Sequence, residues 1–597
     1  MEPASGDGAG AAGGNRQLKR WGPIVGVVAV VAIAVGVLAF TAGGDDDDDD
    51  SSGDTTAAPV DTGTETTTAS TTGDSTVDTT GTSEPGGITY PMTYSQAVEQ
   101  GVADQIDWGE RCDTTTGRIA VPDYFAPECY APFEGDNGGE TATGITADEI
   151  TVVYYEAMES DPIIAYITDA VAVDDTNAQQ FETMRGMLDY FETYYETYGR
   201  KINLVTYEGT GIANDDVTAR ADAVKIAEQY QPFAVLGGPA LSNAFADELA
   251  ARQIMCIGCT PGQPEEFYVE RDPYVWGLAT SAVQSQTHAL EVLEKQLIGK
   301  NAVHGGDAVV NLPRSFGLLY IESSTTSQEL ADRFSSEMEA LGAPFAEKVA
   351  YQLDPTTIQQ QASQVITKMK AAGVTTIIFT GDPVAPRDFT REATAQEYFP
   401  EWFFAQSALV DVTAFARTYD QQQWRHAFGV TGIAARGNPT TTGYYSLYEW
   451  FHGSPPPADD SIGVFVPNAA LFMAIVQGTG PNLTAETWRD ALFAFEGTTR
   501  AISQPYLSYG DKGYWGGVMD YQGVDDASLI WWNPDATGPD EIRKDGVGMY
   551  EWVDGGARYL PGEWPTEDKL FNPDGAVALY ETTPPGEEVP EYPSPAG

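Results

Sequence analysis

The sequence predicts an α/β protein: two doubly wound, Rossmann-like lobes with a hinge and an interlobe cleft, preceded by a transmembrane helix and a disordered stalk. Three observations predict it. Short β-branched runs alternate with longer amphipathic segments from Ile145 onward. The alternation breaks near Tyr274 and restarts at Phe316, and a stretch without any charged residue fills Trp21 to Gly44. Strand–helix alternation of this kind gives a mostly parallel sheet covered by helices on both faces. Open parallel sheets bind ligands at the carboxyl ends of their strands, so two facing lobes bring both sets of ends to one cleft.

The N-terminus sets the compartment. Residues 1–20 carry Arg16, Lys19 and Arg20, and the run from Ile24 to Phe40 is apolar on every face. Roughly 20 such residues cross a ~30 Å hydrocarbon core. Positive charge before the span and the acidic run Asp45–Asp50 after it place residues 1–20 in the cytoplasm, 21–44 in the membrane and the rest outside. A cleaved signal peptide is the alternative. Its apolar region is usually ~7–15 residues and ends in a small-x-small site, for which Phe40, Ala42, Thr41 and Gly43 are poor candidates. With no cysteine near the end of the span, a lipidated anchor is excluded. Residues 45–86, dominated by Asp, Ser, Thr and Gly, cannot bury enough apolar surface to offset chain entropy and read as a disordered stalk. Six consecutive aspartates lack the turn-forming glycine of a calcium cage and read as a solvated start to that stalk. The Pro/Glu-rich end, 581–597, reads as a flexible tail.

Composition narrows the function classes. The 597 residues hold 42% hydrophobic side chains, enough for at least one large core. Asp and Glu number 88 against 31 Lys and Arg, a net charge of −57 with no basic patch. Such a surface repels phosphate backbones, so nucleic acid is not expected as a partner, nor is a broad anionic-lipid face. Four His and four Cys are too few for a cluster-rich metalloprotein, and neither metal nor cofactor is expected.

The cysteines fall into two local pairs, Cys112 with Cys129 and Cys256 with Cys259. Outside the membrane an even number reads as disulfides, and of three connectivities the local one is expected. A redox CxxC would place its first Cys at a helix N-terminus. Here the pair follows the strand-like Arg252-Gln-Ile-Met and enters the turn Thr260-Pro261-Gly262, which favours a structural clip. A four-Cys zinc site is weaker still, because the first pair is 17 apart. Residues 87–144 thus form a disulfide-clipped N-terminal extension.

Each element has its own local reason. Ile150–Tyr155 reads as a buried strand. Ala178–Tyr198 spaces Phe181, Met184, Leu188, Phe191 and Tyr195 as a helix stripe before Gly199. Strands follow at Ile202–Tyr207, Phe233–Gly238 and Ile254–Ile257, with helices at Asp215–Gln229 and Ser242–Arg252 between them. After the break come strands Phe316–Ile321, Ala346–Tyr351, Thr375–Thr380 and Trp402–Ala405, with helices at Thr326–Leu341, Pro355–Ala372 and beyond Pro383. Helices return at Thr442–His452, Val464–Gln477 and Thr484–Phe495, and the chain from Leu507 has β/turn character. The resulting division is 145–280 for lobe 1, 281–430 for lobe 2, 431–500 for a return to lobe 1, and 501–580 for the end of lobe 2.

At this point the residues resemble a family. Gly144-Ile-Thr-Ala-Asp-Glu-Ile-Thr-Val-Val resembles the opening of type I periplasmic solute-binding proteins of the branched-chain amino acid class of ABC transporters. Phe233-Ala-Val-Leu-Gly-Gly-Pro-Ala-Leu-Ser-Asn-Ala resembles that family's third strand and following helix, and Tyr274-Val-Trp-Gly-Leu-Ala-Thr-Ser its crossover into the second lobe. The resemblance covers Ile145 to Gln477, with the tail from Leu507 a weaker match. It implies a periplasmic binding protein-like I fold, a small-molecule ligand of amino acid or amide type, and the membrane subunits of an importer as partner. Two departures are the membrane anchor in place of a lipidated cysteine and the extra segment bearing Cys112 and Cys129. Carried over by position, the ligand-binding residues are Gly238 and Ser242 after the third strand, then Thr260 and Pro261 after the fourth. Exposed N–H groups at a helix start with a Ser hydroxyl suit a carboxylate. The strand-end rule adds Glu156, placed to face an ammonium, with Ser323, Ser324, Asp382 and Gln406 from lobe 2. Blander roles stand beside these: Ser242 as a helix N-cap, Gly237 and Gly238 as turn formers, Glu156 and Asp382 as solvated loop carboxylates. Tyr444-Tyr445 and Trp531-Trp532 are cleft-lining or core aromatics.

Catalysis finds no support. The sequence has no Gly-x-Ser-x-Gly elbow, no His-Glu-x-x-His and no Walker loop, and His304-Gly305-Gly306 reads as a turn. The expectation is a membrane-anchored, extracytoplasmic solute-binding protein and not an enzyme. The alternatives are a ligand-sensing ectodomain working with a partner receptor, and an anchored hydrolase such as a glycosidase, which needs only two suitably spaced carboxylates.

Overall fold

The computed structural model describes residues 88–597 apart from 261, 323–324 and 406–408. The expected anchor and stalk lie outside the described residues.

The chain begins with a small module. Helix α1 (Tyr94–Glu99) opens with a capping box between Thr93 and Gln96, and the antiparallel pair β1 (Cys112–Asp113) and β2 (Arg118–Ile119) follows. The Cys112–Cys129 disulfide closes it over a core of Met92, Ala97, Trp108 and Ala131. It docks on the first lobe through the Arg111–Glu196 ion pair at 2.7 Å and the Thr141 hydroxyl, which donates to the Leu483 carbonyl at 2.6 Å.

Lobe 1 runs β3 (Glu149–Glu156), α2 (Pro162–Val171), α3 (Asn177–Tyr194), β4 (Lys201–Glu208), α4 (Asp216–Tyr230), β5 (Ala234–Leu236), α5 (Ala244–Ala251), β6 (Met255–Ile257), α6 (Glu265–Val269) and β7 (Val275–Trp276). The sheet is wholly parallel, in the order β4-β3-β5-β6-β7. Helices on both faces explain why Ile150, Val152, Val153 and Tyr154 of β3 are all buried. Helix α3 presents Met184, Met187, Leu188 and Phe191 to this core and stops at Tyr194, four residues before the end expected from its stripe, because Tyr195 turns to extended backbone. Helix α2 was missing from the expected elements, although Asp161 caps it and Pro162 opens it.

Lobe 2 runs α7 (Ala282–Val292), β8 (Phe316–Ile321), α8 (Thr325–Ala340), β9 (Glu347–Tyr351), α9 (Ile358–Ala371), β10 (Thr376–Thr380), α10 (Pro386–Ala395), β11 (Glu401–Ala405), α11 (Thr413–Ala416), α12 (Gln421–Trp424) and β12 (Ala427–Thr431). The chain then returns to pack α13 (Gly443–His452), α14 (Ile462–Thr479) and α15 (Ala485–Ala494) with lobe 1, where α13 and α14 lie on α3. It crosses back to add the hairpin β13 (Ser528–Pro539) and β14 (Asp545–Trp552), so the second sheet reads β14-β13-β12-β11-β10-β8-β9. Only the hairpin is antiparallel to its neighbours. In this sheet Arg314 and Glu401 form a fully buried pair at 2.8 Å, and Glu401 also accepts from the Thr376 hydroxyl and the Val303 and His304 amides.

One open alternative is decided here and one expectation is corrected. Of the two roles open to Trp531 and Trp532, both take the core one: they are buried in lobe 2, Trp532 edge-on to Tyr550 and Trp531 against Phe571. The C-terminal segment is pinned rather than loose. The Trp450 indole donates to the Tyr592 carbonyl, the Ser594 hydroxyl to the Trp450 carbonyl, and the Tyr592 hydroxyl to Asp113 of the N-terminal module. Helix α14, apolar and long enough to cross a membrane by length and composition, has half of its residues buried inside the fold.

Candidate functional site

The carboxyl end of β3 leads into α2 and that of β10 into α10, and these two helices touch. On the lobe 1 side, Glu156 ends β3 opposite Glu208 of β4. Burial, then the charge of Glu208, pushes the Glu156 carboxyl up to about 7. Gly237 takes a left-handed φ of 78° where β5 turns, and a Cβ at Gly238 would meet the Cys259 carbonyl at 3.1 Å. Here the Cys256–Cys259 disulfide clips the end of β6. The two hydroxyls expected to hold a ligand are engaged within the lobe. Ser242 donates to Asp216 at 2.6 Å and accepts from the Ala244 amide at 3.2 Å. Thr260 donates to the Asn243 side chain at 2.5 Å. The structure therefore brings Gly238, Ser242 and Thr260 together at one edge of the sheet, with both side-chain hydroxyls already spent.

On the lobe 2 side, Asp382 is buried and inward-facing. One oxygen accepts from the Val384 and Ala385 amides, both at 2.8 Å, and the other from the Tyr351 hydroxyl at 2.6 Å. It fixes the turn into α10 rather than presenting a charge to the cleft. Pro261, Ser323, Ser324 and Gln406 lie outside the described residues. Asp411, beyond the end of β11 and not anticipated from sequence, accepts from the Thr431 hydroxyl at 2.5 Å and is pushed up to about 7 by burial.

The lobes touch. Arg387, in the first turn of α10, donates through Nη2 to the Tyr166 hydroxyl of α2 at 2.7 Å and lies 5.0 Å from that ring's centre. The Tyr166 hydroxyl donates in turn to Asp388 at 3.3 Å. Further along the mouth, Lys544 donates to the Ala172 carbonyl at 2.7 Å, and Arg543 pairs with Asp459 at 2.9 Å while lying over the Tyr445 ring. No residue of this seam was anticipated except Tyr445, because its partners sit far apart in sequence. The one available signal was the cation in the first turn of the helix that follows a strand end, in Pro386-Arg387-Asp388.

Three chain crossings join the lobes, at Gly277–Ser281, Gly432–Thr442 and Phe495–Ala527. They are tied to one another. The Gly277 amide donates to the Tyr521 carbonyl at 3.0 Å, and Arg558 donates to both the Gly432 carbonyl at 2.8 Å and the Asp526 carboxylate at 2.9 Å. Asp520 and Asp525 lie side by side in this region. Burial, then the charge of Asp525, pushes the Asp520 carboxyl well above the usual carboxylate range. His288 is neutral with its proton on Nε2: the Trp564 indole donates to Nδ1 at 3.0 Å, so Nε2–H donates to the Asp525 carbonyl at 3.0 Å. Among the described residues no group of three or more His, Cys, Asp or Glu is placed to hold a metal.

Comparison with known proteins places this architecture. The periplasmic binding protein family matches residues 168–513, more than half of the chain. Among solved structures, a branched-chain amino acid ABC transporter periplasmic ligand-binding protein from Burkholderia xenovorans is 12% identical, covering 70% of this chain and 96% of its own, with a TM-score of 0.48. A fatty acid ABC transporter substrate-binding protein from Thermomonospora curvata is 12% identical, covering 70% and 95%, with a TM-score of 0.47. A branched-chain amino acid transporter substrate-binding protein from Streptococcus pneumoniae, solved with isoleucine, is 13% identical, covering 68% and 100%, with a TM-score of 0.44. A comparison with curated proteins found no match. The chain belongs to the periplasmic binding protein family, an extracytoplasmic class of solute-binding proteins.

The seam yields one prediction here. Tyr166→Phe removes the hydroxyl that links the lobes and is expected to weaken solute binding about 3- to 10-fold by depopulating the closed form. The unliganded melting temperature is expected to stay within about 2 °C of wild type, since deleting one half-exposed hydroxyl is a small perturbation. Titration calorimetry and a thermal melt check both.

Proposed function

We propose that the chain is a membrane-anchored, extracytoplasmic solute-binding protein that captures a small polar solute, an amino acid or an amide-like compound, between its two lobes. The closed form is then presented to the membrane subunits of an ABC-type importer. The observation that carries the reading is the contact of Arg387 with Tyr166. It joins the helix that follows β3 in one sheet to the helix that follows β10 in the other, so the two lobes meet on the side of their strand carboxyl ends. Lobe 1 is assigned 145–280 and 431–500, lobe 2 281–430 and 501–580, and the membrane attachment 21–44. In this reading the protein binds and releases its solute unchanged and has no catalytic role. Family membership and the extracytoplasmic habit of that family support it, and so does the charge-free span from Trp21 to Gly44.

Thermal unfolding of the full chain against amino acids, amides, sugars and small carboxylates tests the proposal. A solute at 100 times its dissociation constant adds about 2.7 kcal/mol. One chemical class is expected to raise the midpoint by several degrees. A flat response across all classes, after unfolding and refolding to strip any co-purified solute, contradicts it.

A further inference from the structure

The cations around the mouth of the cleft are paired, with one exception. Lys544 meets Asp460, Arg543 meets Asp459 and Asp460, Arg436 meets Glu541, and Arg417 meets Asp540. Arg387 forms no ion pair among the described residues. Its Nη2 is spent on the Tyr166 hydroxyl, and its Nε is buried with no partner in the closed arrangement. A charged donor shut away from water without an acceptor is costly, so this atom marks a place where an acceptor belongs. A second orphan sits on a helix that touches α2, the helix that carries Tyr166: Thr413 of α11 is fully buried and its hydroxyl has no partner. On the opposite lobe the hydroxyls of Ser242 and Thr260 already serve Asp216 and Asn243.

We infer that the solute carries an anionic group, a carboxylate, and that Arg387 of lobe 2 receives it, in place of the lobe 1 hydroxyls. The inference rests on the solute-binding reading above and names the chemistry of that same site. Tyr166 holds the guanidinium by stacking and by its hydroxyl, which leaves Nε–H for a ligand oxygen as the lobes close. Asp388 is kept from competing in part by accepting from Tyr166. Glu156 and Asp411, both held up to about 7 by burial, do not confront the anion with full charges at neutral pH.

Calorimetric titration of the full chain with matched acids and amides tests this: L-valine against L-valinamide, glutarate against glutaramide, and benzoate against benzamide. At least one acid is expected to bind tenfold or more tighter than its amide. Arg387→Ala is expected to weaken that acid by tenfold or more and leave the amide nearly unchanged. Arg387→Lys is expected to recover part of the loss, and Arg391→Ala, an exposed cation one turn along α10, none of the effect. Arg387 is only half-buried at a helix start, so its variants are expected to fold, which their unliganded melts check. Equal binding of acid and amide by wild type, or an unchanged acid-to-amide ratio in Arg387→Ala, overturns the inference while leaving solute binding in place. Absence of binding by every acid, amide and sugar overturns the solute-binding reading together with it.

Discussion

Arg558→Ala is expected to lower the stability of the chain by about 3–5 kcal/mol, the usual cost of stripping one partner from a buried ion pair. Arg558 and Asp526 are 2% and 1% exposed in their side chains. Arg558 Nε and Nη2 bind Asp526, and Nη2 also reaches the Gly432 carbonyl at 2.8 Å. Asp526 in turn accepts from the Tyr506 amide at 2.9 Å. Removing the guanidinium leaves a carboxylate in the protein interior and unties two of the three crossings. Arg558→Met with Asp526→Leu is expected to recover most of the loss, because neither partner is then left uncompensated. The contrasting pair, Arg500 with Glu563, is 44% and 43% exposed, and Arg500→Ala is expected to cost at most about 1 kcal/mol. Denaturant midpoints for these variants make the comparison, and an Arg558→Ala chain as stable as Arg500→Ala contradicts it.

Stability is expected to fall as the pH rises from about 5 to about 8, against the habit of proteins that acid destabilises. Burial pushes Glu156 and Asp411 up to about 7 and Asp175 up to about 6. Each of these carboxyls, raised above its unfolded value, holds a proton in the folded chain that the unfolded chain has already released. Its contribution is complete below the unfolded pKa and is lost as the pH climbs through the folded one. The Asp520–Asp525 pair, raised by burial, acts in the same direction. His288 opposes them. Burial lowers it to about 4, so the unfolded chain takes up a proton near pH 6.5 that the folded chain refuses, and its contribution is lost as the pH falls through that window. Several carboxyls outweigh one imidazole. Thermal midpoints are expected to be several degrees higher at about pH 5 than at about pH 8, and Asp411→Asn is expected to flatten part of the slope by raising the midpoint at the alkaline end. A midpoint that rises steadily with pH over this range contradicts the account.

Much of the fold was legible because its elements are built from local pattern. Ile150–Tyr155, Phe316–Ile321 and Thr375–Thr380 are β-branched and apolar runs without a charged residue because helices cover both faces of their sheets. The capping boxes at Thr176 and Ser281 are local signals of helix starts, although the helix after Ser281, Ala282–Val292, was not among the expected elements. Strand β7, two residues long, and strand β12, Ala427-Phe-Gly-Val-Thr with a glycine at its centre, give too little run to be recognised. The site was less legible. Ser242 and Thr260 looked free because the residues that consume them, Asp216 and Asn243, are 26 and 17 positions away. Asp382 looked solvated, yet the Tyr351 hydroxyl reaches it from the end of β9, two strands away in the sheet. The link from Tyr166 to Arg387 spans 221 positions and exists only once two lobes are folded and closed. Pairings of that range carry no periodicity, and only the placement of Arg387 in the first turn of the helix after β10 hinted at its position.

The most direct test of the central claim is small-angle X-ray scattering of the chain with and without a saturating solute found by thermal shift. A solute held between the two lobes stabilises the form in which Arg387 meets Tyr166. The radius of gyration is therefore expected to fall on addition of solute, and the Tyr166→Phe chain is expected to need more solute for the same change. A solute that binds tightly while the scattering of the wild-type chain stays the same would contradict capture by lobe closure.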